Sequence, residues 1–246
     1  MKRYLLLLFI ILAGNGIYAQ YTEIINSKRP GFSESPYSIG TNVYQVETGF
    51  FYRSNKNPDL LARPKTYGSE LYLRYGKLKE RLEFNLNMAY QNDEVKSPFG
   101  SNFNIHGISQ MTLGAKYLLF QKEYTDKSKE IRSWKRHIAF DKKRLIPAVG
   151  VYLGVHTNFV GKEYKQDGLS YKGAVLLQND FSDRLVVLSN LIVDRFGSEH
   201  ENYSYIVTMT YALNMEWSYF LENQGQYQDN LNRQIVTLII VPKVCI

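Results

Sequence analysis

The residues able to do chemistry are spread along the chain at a spacing of two rather than gathered into a motif. Glu47, Glu70, Arg74, Arg81, Glu83, Lys116 and His156 each sit on the polar side of a stretch in which apolar and polar residues alternate. Titratable groups placed this way share one face of a pleated strand. Acids interleaved with bases there can line a solute path or simply neutralise one another in a packed interior. His156, with Ser170 beyond the following loop, invites comparison with a Ser–His lipid hydrolase. That chemistry needs base and nucleophile in hydrogen-bond reach and a third group to orient the base, and no fixed spacing supplies it here. His106, and His200 within Glu199-His200-Glu201, match no metal-ligand spacing. HExxH, CxxC and glycine-rich phosphate motifs are absent, and Cys245 is the only cysteine, so no intrachain disulfide can form. No catalytic residue, metal or cofactor is expected.

The elements that must carry these residues are strands. Segment 81–90 places Leu82, Phe84, Leu86, Met88 and Tyr90 on one face, and segment 67–76 does the same with Tyr67, Leu71, Leu73 and Tyr75. The alternation recurs at 43–52, 110–120, 147–157, 203–213 and 215–222, while 171–181 and 185–194 are apolar on both faces. Lengths of about 8–11 residues suit a tilted bilayer-crossing strand, which needs roughly 9–11. Aromatics fall toward the ends of the apolar faces (Tyr67, Tyr75, Tyr90, Tyr117, Tyr203 and Trp217), as the girdles of a transmembrane barrel require. The expected fold is all-β: an up-and-down antiparallel transmembrane β-barrel of about 10–12 strands over 42–246. A soluble sandwich shares the alternation but favours strands of about 5–6 residues.

Connections at 77–79, 182–184 and 214 read as tight. Those at 53–66, 91–104, 158–170, 196–202 and 223–232 read as long, which is the short-periplasmic, long-external rhythm of such barrels. For the first tight turn, a two-residue loop flanked by Lys77 and Glu80 sets Arg74 opposite Glu83 and Tyr67 opposite Tyr90. The alternative opposes Arg74 to Arg81, an unfavourable like-charge pair.

Composition agrees. Hydrophobic residues make up 44% and charged residues 22% of the 246, with 20 Tyr and 13 Phe. A mean hydropathy of −0.32 is too polar for a bundle of membrane helices. Lys2 and Arg3 followed by the apolar run Leu5–Ala13 and a small residue at Ala19 read as a signal peptide over 1–19. Export to the outer membrane follows as an expectation. Without Lys2 and Arg3 the formal +7 falls to +5, and segment 121–144, with nine Lys/Arg against four Asp/Glu, accounts for that +5. No general basic character points to nucleic acid. Ile131, Trp134 and Ile138 within that segment could share one face of an interfacial helix, although a solvated basic loop fits as well. Segment 20–41 reads either as a periplasmic tail or as a plug in the lumen, with Arg29 and Glu34 meeting lumen charges.

Several motifs carry a resemblance. Residues 29–40, Arg-Pro-Gly-Phe-Ser-Glu-Ser-Pro-Tyr-Ser-Ile-Gly, precede a Gln45-Val46-Glu47-Thr48-Gly49-Phe50 strand. With Leu73-Arg74-Tyr75-Gly76, Glu80-Arg81-Leu82-Glu83-Phe84, Leu113-Gly114-Ala115-Lys116-Tyr117 and the turn Phe181-Ser182-Asp183-Arg184, this resembles the outer-membrane transporters grouped with the meta-pathway of phenol degradation. The similarity covers roughly 29–222. It implies passive movement of small hydrophobic or aromatic solutes across the outer membrane, with lipid and a small-molecule solute as partners and no catalytic residues. The apolar run 235–241 departs from the family's alternating end, either as an atypical last strand or as a disrupted frame, so closure of the barrel is open. Rival classes are a non-conducting structural or adhesive barrel working through its loops, and a lipid-modifying enzyme built on His156.

Overall fold

In the computed structural model, residues 27–28, 31–54, 63–77, 80–96, 102–121, 142–165, 168–198, 201–214, 217–228 and 231–242 are described, the last segment by its backbone path. Residues 1–19, expected to be a signal peptide, together with Arg29, His200, Cys245 and nearly all of the basic segment 121–144, including the proposed helical face, lie outside the described residues.

Ten antiparallel strands follow one another in chain order in a single sheet. They are β1 (Tyr44–Ser54), β2 (Arg63–Gly76), β3 (Leu82–Lys96), β4 (Phe103–Phe120), β5 (Ala148–His156), β6 (Ser170–Asp180), β7 (Leu185–Phe196), β8 (Asn202–Ala212), β9 (Trp217–Gln228) and β10 (Leu231–Pro242). Each strand pairs with its neighbours in sequence, the up-and-down order expected of hairpin-linked strands. Among the described residues no ladder joins β10 to β1. The sheet is nevertheless strongly curled, because the short segment 27–40 touches side chains of β1, β2, β3, β4, β6, β7 and β9 at once.

The distribution of polarity is inside out. The convex face exposes Val46, Phe50, Leu113, Leu153, Leu191, Val207 and Met209, with Phe50 90% exposed. The concave face buries Glu47, Arg74, Glu83, Thr112, Lys116, Asn190, Thr208 and Glu222. Alternation dictates this split, since successive side chains of a strand point to opposite faces. Apolar residues also reach the concave side, where Tyr72, Tyr152, Leu176, Ile206 and Phe220 are buried. The Tyr152 ring lies flat against Gly114 and Gly154, where a Cβ on either glycine would collide with it.

The connections correct two expectations. β1, β2, β3, β4 and β9 run further than alternation shows, so the supposed long loops 53–66 and 91–104 shrink to 55–62 and 97–102. Segment 223–232 is mostly strand, with Asn223 to Gln228 laddered to β10. Beyond the apolar belt both faces of a strand are polar, so the sequence loses its period of two while the backbone ladder continues. The short–long rhythm is therefore weaker than expected.

The β2–β3 register also differs. Gly76 pairs with Glu83, which sets Arg74 opposite Asn85 and Tyr67 opposite Asn92, not Glu83 and Tyr90. The shift of two residues preserves every facing. It arises because the β2–β3 pairing stops at Gly76–Glu83, where a two-residue loop flanked by Lys77 and Glu80 was expected.

Candidate functional site

The site is the concave face together with the chain segment lying in it. At Gly40–Val43 the backbone turns, with Asn42 in the left-handed region that Asn tolerates and its N–H donated to the Gly76 carbonyl at 2.6 Å. The preceding residues thereby fold back into the curl of the sheet, where Ile39 is buried at 5% exposure.

Wall side chains hold this segment mainly by its backbone. Glu222 on β9 accepts the N–H groups of Phe32 at 3.1 Å and Ser33 at 3.3 Å, and also the Thr208 hydroxyl at 2.9 Å. Asn190 on β7 accepts the Glu34 N–H and donates to the Glu34 carbonyl, both at 2.7 Å, as a neighbouring strand would. The Ser35 hydroxyl donates to Gln178 at 2.7 Å, and Glu83 accepts the Ile39 N–H at 3.0 Å. At the upstream end Glu47 accepts the Lys28 N–H at 3.1 Å. Contact is close enough to demand glycine: a Cβ on Gly31 would enter the Phe220 ring, and one on Gly150 would press on Pro36. Residues 31–40 are a plug.

Beneath and around the plug lies a buried ionic cluster. Arg74 donates twice to Glu83, Nε to Oε1 and Nη2 to Oε2, each at 2.8 Å, and lies 3.3 Å from Glu47. Lys116 bridges Glu83 at 3.2 Å, Glu34 at 3.4 Å and the Ser35 carbonyl at 3.1 Å. Arg74, Glu83 and Lys116 are at most 2% exposed, so these pairs stand in place of water rather than in it. Within the wall, Glu47 and Glu83 balance Arg74 and Lys116. The plug brings Glu34, and upstream of it Lys28 stands with its ammonium 5.2 Å over the Tyr72 ring. Burial pushes the Glu34 carboxyl up, but Lys116, Lys28, Arg74 and the Tyr72 hydroxyl at 2.9 Å outweigh it and hold its pKa at about 2.

A second polar layer crosses the lumen further along. His156 on β5 bonds Thr112 Oγ1 through Nδ1 at 2.8 Å and Asp194 Oδ1 through Nε2 at 2.9 Å, with Lys172 at 3.9 Å from the same carboxylate. Both ring nitrogens are thus engaged by β4 and β7. Ser170 is the backbone partner opposite His156, yet it bonds neither nitrogen. Between the two layers lies a cavity lined by Glu34, Tyr72, Asn87, Thr112, Tyr152 and Leu176 among others, with room for only about two water molecules.

Of the residues singled out from sequence, Glu47, Arg74, Glu83 and Lys116 come together in the cluster, and His156 anchors the second layer. Glu70 is half-buried higher on β2, opposite Gly49 and Ala89. Arg81 precedes β3 and is exposed at the turn, apart from the cluster. Tyr67, Tyr90, Tyr117, Tyr203 and Trp217 are exposed on the convex side and Tyr75 is half-exposed there. Tyr75 stacks on Tyr44 at 4.3 Å and Tyr67 packs on Tyr52 at 5.0 Å, so the β1–β2 ladder carries an aromatic pair at each end. Glu222, Asn190 and Gln178 were missed as site residues. Their signal was weak, since each is an ordinary polar residue on a strand, and Glu222 and Asn190 hold backbone groups that any sequence offers.

No curated protein matches the chain. A family model described as "Putative MetA-pathway of phenol degradation" matches residues 27–239, a span that takes in the plug and all but the end of the sheet. By that match over most of its length, the chain belongs to this family.

Proposed function

We propose that the protein is an outer-membrane β-barrel that passes small hydrophobic or aromatic solutes by passive diffusion. The observation that supports this best is the inversion of polarity: an exposed belt of Val, Leu, Met and aromatic side chains around an interior of buried charges. A water-soluble sandwich buries its apolar face, whereas a sheet in lipid exposes it. The aromatic pairs add a dimension. Eight positions separate Tyr44 from Tyr52 on β1, about 26 Å along a strand at ~3.3 Å per residue, which at a tilt of ~40° spans about 20 Å of the ~25 Å apolar height of such barrels. The leader-like residues 1–19 support export, and the family description supports an aromatic solute.

The test is swelling of proteoliposomes in isosmotic phenyl glucoside, an aromatic solute that crosses lipid slowly. Protein that shifts its gel mobility on heating, as folded barrels do, should swell the vesicles above protein-free controls. Folded protein that never does so makes the non-conducting structural barrel the better reading.

A further inference from the structure

At the end of β8 and β9 far from the turn at Asn214, the concave wall holds a hollow of about 130 Å³. Asn202, Ser204 and Ile206 line it from β8, Gln224 and Gln226 from β9. The ladder sets Ser204 opposite Gln226 and Ile206 opposite Gln224, so these side chains share one face. We infer that this hollow binds a neutral six-membered ring carrying several hydroxyls, of the sugar or cyclitol kind. The inference goes beyond the solute class proposed above and rests on that reading only for the route by which a solute arrives.

Chemistry decides the class. Among the described residues every lining side chain is uncharged, and Asn202, Gln224 and Gln226 bring amides beside the Ser204 hydroxyl. The Asn202 carboxamide oxygen is shut off from solvent and has no hydrogen-bond partner among the described residues. A buried acceptor of this kind is costly until a donor reaches it. An amide presents N–H groups beside a carbonyl oxygen, and a hydroxyl both gives and takes a hydrogen bond, so each suits the other in either orientation. A ring with one hydroxyl would satisfy one of these groups and strip water from the rest, whereas hydroxyls set around the ring meet several at once. An ion fares worse, because the carboxylates flanking the hollow are already engaged. Asp194, the ladder partner of Asn202, holds His156 at 2.9 Å and Lys172 at 3.9 Å, and Glu222 accepts the Phe32 and Ser33 N–H groups.

Size and place decide the rest. The volume is close to the ~150 Å³ of an apolar cavity that admits one benzene ring, so a single ring fits and two do not. Ile206, 8% exposed, offers an apolar surface to the C–H face of such a ring. Gln224 links the hollow to the plug, since its amide donates to Glu222, the carboxylate that holds the plug backbone. A ring bound here stands beside the plug without displacing it.

The full chain in detergent, with Cys245→Ser and Ser204→Cys, reports occupancy through the rate at which a maleimide labels position 204. Ser109→Cys on β4, in the same Cys245→Ser background, is the control for viscosity and osmotic effects. Occupancy slows labelling by one plus the ratio of ligand concentration to Kd, so about 50 mM myo-inositol at a Kd of about 25 mM slows it about threefold. Cyclohexanol, the same ring with one hydroxyl, should leave the rate unchanged, as should sodium benzoate. Asn202→Leu should abolish the protection. Should that variant fail to fold, Gln226→Ala, at an exposed position, should weaken it. Arg233→Gln, at the cation that the ladder sets opposite Gln226, should leave protection in place, and loss of protection there would make the site ionic and overturn the proposal. No protection by myo-inositol, equal slowing at positions 204 and 109, or equal protection by cyclohexanol also overturns it. Failed protection with swelling in phenyl glucoside intact removes this site and leaves transport standing. Protection without swelling does the reverse.

Discussion

Arg74→Gln tests the buried cluster most directly. Arg74 is 2% exposed and makes two 2.8 Å hydrogen bonds to Glu83 and a 3.3 Å contact to Glu47. Hydrogen bonds to charged groups contribute about 1.5–3 kcal/mol each, so the two short ones alone sum to about 3–6 kcal/mol. The loss is smaller than the upper figure because Glu83 keeps Lys116 at 3.2 Å and the Ile39 N–H at 3.0 Å, while Glu47 keeps the Gln45 amide at 2.8 Å. Breaking a buried pair by removing one partner costs about 3–5 kcal/mol, and the retained partners place this variant near the lower end, about 3 kcal/mol. Urea unfolding in phospholipid vesicles, followed by Trp fluorescence and by heat-dependent gel migration, measures it. Arg81→Gln, at an exposed turn, is the control and should stay within about 0.5 kcal/mol. Adding Glu83→Gln to Arg74→Gln should recover part of the loss, since the carboxylate left behind is most of the penalty. A destabilisation under about 1 kcal/mol, or strictly additive single variants, would refute a coupled buried cluster.

Leu153→Arg separates a lipid-facing belt from a water-facing one: it should cost about 2–4 kcal/mol in vesicles, and a near-neutral result would argue against a membrane environment. Gly150→Val introduces a side chain where Pro36 lies and should expel the plug, seen as higher ion conductance in planar bilayers at unchanged heat-modifiable migration. Glu34 ionises more readily in the folded lumen than its ordinary 4.5. The stability it contributes is complete above pH 4.5 and is lost as the pH falls toward about 2, and Glu34→Gln should flatten the stability profile across that window. The Tyr164 phenol, at the turn Lys162–Tyr164, is pushed up to about 12 by burial and by its 2.8 Å hydrogen bond to Asp93. Its contribution is complete below pH 10 and fades as pH rises through 12, so the wild type minus Tyr164→Phe difference in tyrosinate absorbance should appear near pH 12, and an onset near 10 would count against the contact.

The facing of each strand was legible because the pleat imposes a strict period of two. Leu82, Phe84 and Tyr90 could not share a face with Glu83 without breaking it. Register was less legible: facing survives a shift of two residues, so Arg74 kept its side while its partner opposite changed from Glu83 to Asn85. The salt bridge to Glu83 formed all the same, across the diagonal, because a guanidinium on three methylenes reaches that far. The plug was legible only as one of two options. What fixes it is backbone N–H recognition by Glu222 and Asn190, and neither residue type nor spacing in 31–35 records that a distant carboxylate will cap those groups. One trace was present: Gly150 and Gly154, two residues to either side of Tyr152 on the inner face, leave room there that Pro36 and the Tyr152 ring fill.

The cluster and the plug differ in what each would cost to undo, and that difference bears on the passage of solutes proposed above. Removing a wall charge leaves a net charge buried among its partners, since Glu47, Arg74, Glu83 and Lys116 balance one another at 0–8% exposure. Removing the plug breaks none of those pairs. The four-residue cluster it leaves is electrically neutral, and the backbone N–H groups of Phe32, Ser33 and Glu34 exchange wall acceptors for water as they withdraw. Glu222 is the exception. Among the described residues its polar partners are N–H and O–H groups of Phe32, Ser33, Thr208 and Gln224, none of them a cation, so it depends on plug or water. A rigid charged wall around a segment held mainly by exchangeable hydrogen bonds is the arrangement in which the occupant can leave and the barrel can stay.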